Sequence, residues 1–239
     1  MRATATTLAT PTPEGMTAMM ARFFDESGLT RETVLEAVTL LQRRTEVFND
    51  DALAVFEESG AFRSACGAGC GFCCHTLVSV LPPEAFGVAE HVAGLDAPAR
   101  EAFEARVREA DRRYRGWNGA QRYAGRAACP FLDPKTWLCG LHEARPLVCR
   151  AMHSGDLPAC KKAYAARDPE VPTVSMRAFF DNREACHAGW VGALRPRGLQ
   201  CDPLELNAAL VTIWDGEDVM ARWLEGEPVF GEARLSRAA

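Results

Sequence analysis

Several common features are missing from this chain of 239 residues, and each absence narrows its class. No stretch approaches the roughly 20 apolar residues that a membrane-crossing helix requires. The N-terminal residues 1–13 are rich in Thr, Pro and Ala and lack the continuous apolar run of a secretory signal. We therefore expect neither export nor membrane insertion, which places the protein in the cytoplasm, a reducing compartment.

A strong net charge and the familiar catalytic motifs are also missing. The net charge is −5, which gives no electrostatic reason to expect nucleic acid or an anionic membrane as a partner. The sequence shows no Ser/His/Asp order, HExxH motif, P-loop or glycine-rich dinucleotide fingerprint. Asp133 and Glu143 are acid/base candidates, but capping or salt-bridge roles suit them better. The sequence therefore assigns no catalytic residue.

Cysteine is what the chain does have: ten residues, four of them within nine positions. The loop 66–74 carries these four as Cys66, Cys70, Cys73 and Cys74, with three glycines between them. Such a loop buries little apolar area, so something other than packing must hold it. Clustered thiols in a reducing compartment are more often ligands than disulfides, and thiolates select zinc, copper(I) and iron–sulfur centres. The loop therefore predicts a metal site.

The spacing within the loop is compatible with two kinds of metal centre. Cys70 and Cys73 have the CxxC spacing of a zinc knuckle. The vicinal pair Cys73–Cys74 fits one zinc less well, because adjacent side chains diverge in an extended chain. An iron–sulfur cluster offers separated iron corners and accepts closely spaced thiolates. Zinc and a 4Fe–4S cluster both stay open, with a preference for the cluster.

A second set of thiols follows the loop. These are Cys129, Cys139, Cys149 and Cys160. Glycines, prolines and a lack of periodicity around them favour metal ligation, and eight thiols suffice for two four-ligand sites or for one site with spares. Cys186 and Cys201 are expected in the core, because the first lies on an apolar helical face and the second precedes a predicted helix.

Histidine and arginine side chains accompany the thiols in the sequence. His75, His142 and His153 are the nearby histidines, either as zinc ligands or, as we prefer, as ordinary neighbours of the centre. Arg145 and Arg150 flank Cys149. Each can offset the negative charge of a thiolate centre or form a plain surface salt bridge.

Hydrophobic periodicity predicts a mostly α fold, with a helical scaffold around a loop-rich, metal-stabilised cysteine cluster. Thr30 is expected to cap a helical segment with Val34, Val38, Leu41 and Phe48 on one face, and this segment and the next are expected to form a helical hairpin or one bent helix. Further helices are expected over Thr17–Phe24, from Pro82, from Pro98 and around Phe179–Leu194. A flexible N-terminal tail 1–15, a single helical domain 16–230 with its cysteine core at 66–160, and a flexible C-terminal tail 231–239 complete the expected organisation.

Three blocks of residues, in order, resemble a known family. The loop Cys66 to Cys74, the run Cys129-Pro-Phe-Leu and the segment from Cys139 to Arg150 look like the YkgJ-type cysteine-cluster family, or CxxCxxCC domain. Its members are described as zinc- or iron-chelating proteins. The resemblance implies ligand roles for Cys66, Cys70, Cys73, Cys74, Cys129, Cys139 and Cys149, and less directly for Cys160. The first spacing is x3 rather than x2, and His142 stands where the family often has tyrosine.

Three functions are compatible with these residues. The preferred one is a metal- or iron–sulfur-cluster-binding protein, whose centre is structural or serves storage or sensing. The second is an iron–sulfur-dependent group-transfer enzyme, such as one using S-adenosylmethionine to methylate a protein or peptide, as a distant relative in this cysteine-rich group does. The third is a non-catalytic, zinc-stabilised accessory module. The last two would involve a protein or peptide partner; the sequence predicts no oligomeric state.

Overall fold

A computed structural model describes residues 10–235, and helices dominate it. The described helices are α1 (Pro13–Ser27), α2 (Arg31–Glu58), α3 (Pro82–Ala93), α4 (Ala97–Tyr114), α5 (Gly119–Ala124), α6 (Leu147–Ala151), α7 (Leu157–Ala166), α8 (Arg177–Leu194), α9 (Leu206–Asp215) and α10 (Val219–Leu224). The prediction of a mostly α fold is confirmed. None of these helices is both long enough and apolar enough to cross a bilayer.

Helix α2 is a single helix of 28 residues, where the sequence left open a helical hairpin or one bent helix. The Thr30 hydroxyl caps it by accepting a hydrogen bond from the Thr33 amide at 3.3 Å. The predicted apolar face is buried: Val34, Val38, Leu41 and Phe48. Because this face is continuous, α2 runs along the core from the end of α3, where Arg31 pairs with Glu90, to helix α6.

Helix α1 packs closely against α8. Met16, Met20 and Phe24 of α1 are buried with Trp190 of α8, and the Phe24 and Trp190 ring centroids lie 6.2 Å apart. At Gly192 a Cβ would fall 2.4 Å from Thr17 Cγ2, so glycine is what allows the two helices to approach. This pair forms one side of the core, and α8 also packs against α6.

A small antiparallel ribbon joins the middle of the chain to its C-terminal part. Strand β1 (Ser79–Val80) pairs with β2 (Leu204–Glu205), with Ser79 opposite Glu205 and Val80 opposite Leu204. Strand β1 is therefore only two residues long. The Leu206 amide extends the pairing by donating to the Val78 carbonyl at 3.0 Å.

Within the described residues, ordered structure extends into both of the predicted tails. Helix α1 begins at Pro13, four residues before the predicted start, because the Thr12 hydroxyl caps it and proline suits the first helical position. At the other end, the Leu235 amide donates to the Pro203 carbonyl at 2.9 Å, which holds residues near 235 against the core. Positions 1–9 and 236–239 of the predicted tails lie outside the described residues.

Candidate metal centre

A 3₁₀ turn, Phe72–His75, carries the vicinal cysteines of the loop. The Cys74 amide donates to the Gly71 carbonyl at 3.1 Å and closes this turn. In the preceding residues of the loop, the Cys70 amide donates to the Gly67 carbonyl at 3.0 Å. Neighbouring residues in a 3₁₀ turn are about 120° apart, against about 180° in a strand. The Cys73 and Cys74 thiols therefore need not diverge, and the expected difficulty of placing both at one centre disappears.

Backbone hydrogen bonds connect this turn to two later cysteines. The Cys129 amide donates to the Cys74 carbonyl at 2.7 Å. Leu132 and Cys139 then form an antiparallel bridge, and the Gly140 amide donates to the Phe131 carbonyl at 2.8 Å. Cys74, Cys129 and Cys139 are brought together by main-chain pairing, independently of any metal.

Cys149 completes this group from helix α6. Burial raises the pKa of its thiol well above the ordinary value, and the nearby thiols of Cys129, Cys73 and Cys139 raise it further. Burial also raises the pKa of Cys129 to about 12. We call Cys74, Cys129, Cys139 and Cys149 the inner thiols.

Of the other four thiols, Cys66 is exposed and the rest are partly buried, as the inner thiols are. Cys66 Sγ is 3.2 Å from the Ser154 amide, which donates to it, and the Ala65 amide donates to the Ser154 carbonyl at 2.8 Å. Burial raises the pKa of Cys70, and the neighbouring thiols of Cys66, Cys73 and Cys160 add to the rise. Cys66, Cys70, Cys73 and Cys160 are the outer thiols. Cys73 lies close to both groups.

The chemistry of this donor set suits a soft metal. All ten cysteines are free, and the eight candidates are exposed or only partly buried. Crowding opposes thiolate formation, as in Cys73, where a hydrogen bond with the Cys74 side chain and then burial raise the pKa. A bound cation reverses this preference. Within residues 10–235, no three Cys, His, Asp or Glu side chains are grouped so as to hold an ion as they stand.

An aromatic cluster that was not predicted from the sequence covers the 3₁₀ turn. Phe72, His75, Trp137 and Tyr164 have ring centroids between 4.8 and 5.8 Å apart. Trp137 has a φ of +58°, a strained value for a bulky residue, so its position is fixed by this packing. The only local signal was the turn-forming run from Asp133 to Thr136.

The three histidines have different surroundings. His75 is buried, its Nδ1 lies 3.1 Å from the Gly71 carbonyl, and burial lowers its pKa. His153 packs against Phe179, with ring centroids 4.7 Å apart. His142 is largely exposed, and partial desolvation of its ring, together with the charges of Arg145 and Arg150, lowers its pKa. The structure gives His75 and His153 packing contacts, as ordinary neighbours of the centre would have.

Arg150 and Arg145 differ in role. The Arg150 side chain is buried, donates to the Arg145 carbonyl at 2.8 Å and also contacts the Glu143 carbonyl and the Glu46 carboxylate. It therefore organises the backbone of 143–150. The positive charge of Arg145 favours the thiolate forms of Cys73 and Cys149. Arg145 fits the expectation of a charge that offsets the thiols, and Arg150 also interacts with the Cys149 thiolate.

Asp133 has the turn role expected of it. Its Oδ1 accepts hydrogen bonds from the Lys135 amide at 2.8 Å and the Thr136 amide at 2.7 Å. These two bonds lower the pKa of Asp133. The carboxylate thus shapes the turn that carries Trp137.

A buried ion pair near Cys129 was also missed from the sequence. Arg122 Nη1 lies 3.1 Å from Glu205 Oε1, and both side chains are buried. Glu205 Oε2 also caps α9 by accepting from the Ala208 amide at 2.9 Å. The partners are 83 positions apart in the sequence, so no local pattern predicts the pair.

The two remaining cysteines lie in the core. Cys186 and Cys201 are 0% and 4% exposed and pack with the apolar residues of the main cluster. The predicted core assignment of both is confirmed. Their separation from the eight candidates leaves the inner and outer thiols as one distinct region.

Comparison with known protein families identifies the same region of the chain. Residues 65–171 match the family CxxCxxCC, described as "Putative zinc- or iron-chelating domain". No curated protein and no solved structure matches the chain. The matched segment contains all eight candidate thiols and leaves out Cys186 and Cys201. The resemblance seen in the sequence is confirmed over residues 65–171, which match the model of the CxxCxxCC family.

Proposed function

We propose that this protein binds metal through its eight clustered thiols. The observation that carries the proposal is that separate segments bearing these thiols are already hydrogen-bonded to one another. Main-chain hydrogen bonds join Cys129 to Cys74 and Gly140 to Phe131. The Ser154 amide donates to Cys66 Sγ. Chelation of zinc or iron is also the property that the family description gives for this segment.

The inner and outer thiols support two neighbouring centres. Each group holds four thiols, the number that ligates a tetrahedral zinc or a 4Fe–4S cluster. Cys73 on the 3₁₀ turn lies near thiols of both groups, so it can serve either centre. Binding would draw the outer thiols together at the surface, since residues 66–69 are exposed.

The centre would retain metal rather than perform a reaction. A cavity of about 440 Å³ lies between α3, α9 and α10, and none of the eight thiols lines it. The group-transfer alternative therefore gains no support from it. We also propose the cytoplasm as the location, because ten free thiols persist best in a reducing compartment.

Metal analysis after anaerobic purification tests the proposal. We expect either about two zinc ions per chain or about four iron and four sulfide per occupied cluster. A colourless zinc protein or a brown iron–sulfur protein would identify the metal. Absence of zinc, iron and sulfide after careful anaerobic handling would defeat the proposal.

Single cysteine variants test the ligand set. Cys149→Ser and Cys73→Ser should each lower the metal content, because each removes a thiolate from a four-ligand set. Cys201→Ser is the matched control, since it changes the same atom in the core. Full metal content in both ligand variants would show that the assignment is wrong.

A further inference from the structure

The short helix α6, which carries Cys149, is held at its N-terminal end by a buried carboxylate. Glu84 Oε1 accepts a hydrogen bond from the Leu147 amide at 2.9 Å, and Oε2 accepts one from the Leu81 amide at 3.0 Å. Glu84 is 3% exposed. The first amides of a helix have no partner within it, so this carboxylate fixes where α6 begins.

The other end of α6 is held by helix α2. Asn49 Nδ2 donates to the Arg150 carbonyl at 2.9 Å, and the Glu46 carboxylate pairs with the buried Arg150 guanidinium. Gln42 Nε2 adds a weaker contact, 3.4 Å from the Ala144 carbonyl. Gln42, Glu46 and Asn49 are spaced i, i+4 and i+7, so they lie on one face of α2.

Cys149 sits between these two sets of contacts. We propose that Glu46 and Asn49 of α2, with Glu84 of α3, are positioning residues that hold the Cys149 thiol ready for the metal. The use of this thiol for metal rests on the proposed function; the positioning itself does not. Cys66 is the contrast: it is exposed, and its bonds are to nearby backbone and Ser64. Residues that orient a ligand are generally needed for tight metal retention.

Three variants and a control on the same helix test the proposal. Asn49→Ala and Glu46→Ala remove the contacts, and Glu46→Gln keeps an oxygen that can accept from Arg150. Glu36→Ala is the control, because Glu36 is exposed on α2 and makes no side-chain hydrogen bond or ion pair with another residue of the range 10–235. Thermal unfolding establishes that each variant is folded, and Asn49→Ala carries the test if Glu46→Ala is not.

The first readout uses reduced, metal-free protein. Iodoacetamide labelling followed by peptide mass spectrometry gives a rate for each cysteine. Cys149 should react about 3–10-fold faster in Asn49→Ala and Glu46→Ala, the factor that one lost hydrogen bond corresponds to. Cys66 should keep its rate, and Glu46→Gln should return Cys149 towards the wild-type rate. Equal Cys149 rates in Asn49→Ala, Glu46→Ala and Glu36→Ala would overturn the proposal.

The second readout uses metal-loaded protein. Transfer of the metal to a chromogenic chelator should be about 10-fold faster or more in Asn49→Ala and Glu46→Ala, and unchanged in Glu36→Ala. Unchanged transfer would show that α2 does not act on the centre. A wild-type protein that holds no metal defeats the proposed function instead, while the labelling rates still decide whether α2 positions Cys149.

Discussion

Gly71 lies where the cysteine loop approaches the following turn most closely. A Cβ there would fall 2.9 Å from Leu132 Cδ1 and 3.1 Å from Trp137 Cε3, whereas one at Gly67 would have nothing within 4 Å. Leu132 is buried and cannot move aside freely. Gly71→Ala should therefore lower the free energy of unfolding by about 1–3 kcal/mol. Urea denaturation of the metal-free protein measures this change.

Gly67→Ala is the matched control for Gly71→Ala. It lies in the same loop, and a surface change of this kind alters stability by less than about 0.5 kcal/mol. Equal stability of the two variants would show that the contacts of Leu132 and Trp137 do not fix the turn.

Glu84 gives the protein a specific acid sensitivity. Burial alone would raise its pKa, but His187, whose Nε2 lies 3.4 Å away, and the Leu81 and Leu147 amides together lower it. A carboxylate whose pKa is lower in the folded state stabilises the fold above its unfolded value of about 4.3. This stability is lost as the pH falls through the lowered pKa, so metal-free protein should destabilise steeply below about pH 4.

Glu84→Gln isolates that contribution. The variant should be less stable at pH 7, because an amide nitrogen cannot accept from a backbone amide, and its stability should fall less between pH 6 and pH 3. Unfolding curves at several pH values compare it with the wild type. Parallel pH profiles for both proteins would exclude Glu84 as the source of the acid sensitivity.

Residue types and spacing predicted which cysteines form the region of the inner and outer thiols. They did not predict the 3₁₀ conformation of Cys73 and Cys74. The spacing argument assumed an extended chain at the vicinal pair. The 3₁₀ turn depends on Cys129, which pairs with Cys74, and on Leu132 and Trp137, which pack on Gly71. These contacts come from more than 50 positions away, so the local sequence does not reveal them.

Helix α7 is attached to the 3₁₀ turn mainly by one ring. Tyr164 lies 5.5 Å from Phe72 and 4.8 Å from His75, centroid to centroid, and Cys160 precedes it by four residues on the same helix. Tyr164→Ala should loosen α7 and cost about 1–2 kcal/mol. Hydrogen exchange should then become faster across residues 157–166.

Tyr114→Ala is the comparison for Tyr164→Ala. Its ring stacks on Trp117 at 5.1 Å, at the end of α4. It should leave exchange in α7 unchanged. If α7 exchanges at the wild-type rate in both variants, Cys160 is held by something other than the Tyr164 ring.

The helices were largely predictable because their signals are local. Thr30 caps α2, Pro82 opens α3, and the apolar face of α8 repeats within 18 residues. The continuity of α2 was not predictable, because its second half is fixed by packing against Ala151 and Phe179 in a separate apolar cluster. The early start of α1 follows from Thr12 and Pro13 within a segment that composition alone marks as a tail.

Metal removal should affect one side of the molecule. The main core joins α1, α8 and α9 through apolar contacts that contain no candidate ligand from the loop 66–74. A metal present at 100–1,000 times its dissociation constant adds about 3–4 kcal/mol to stability. A chelator should remove that contribution and increase hydrogen exchange in residues 66–70 and 154–160. Helical circular dichroism should change little; complete unfolding would contradict this expectation.

The pairing of β1 with β2 shows that the boundary of the family match differs from the boundary of the folding unit. The family match ends at residue 171, yet β1 finds its partner at Leu204–Glu205. Cutting the chain at 65 and 171 would leave Val80, Phe86 and Leu147 without the helices that now cover them. The segment that matches the family model is thus smaller than the unit that can fold. The segment 65–171 could therefore pass to another protein only together with the helices that pack against it. An isolated 65–171 fragment should aggregate rather than fold.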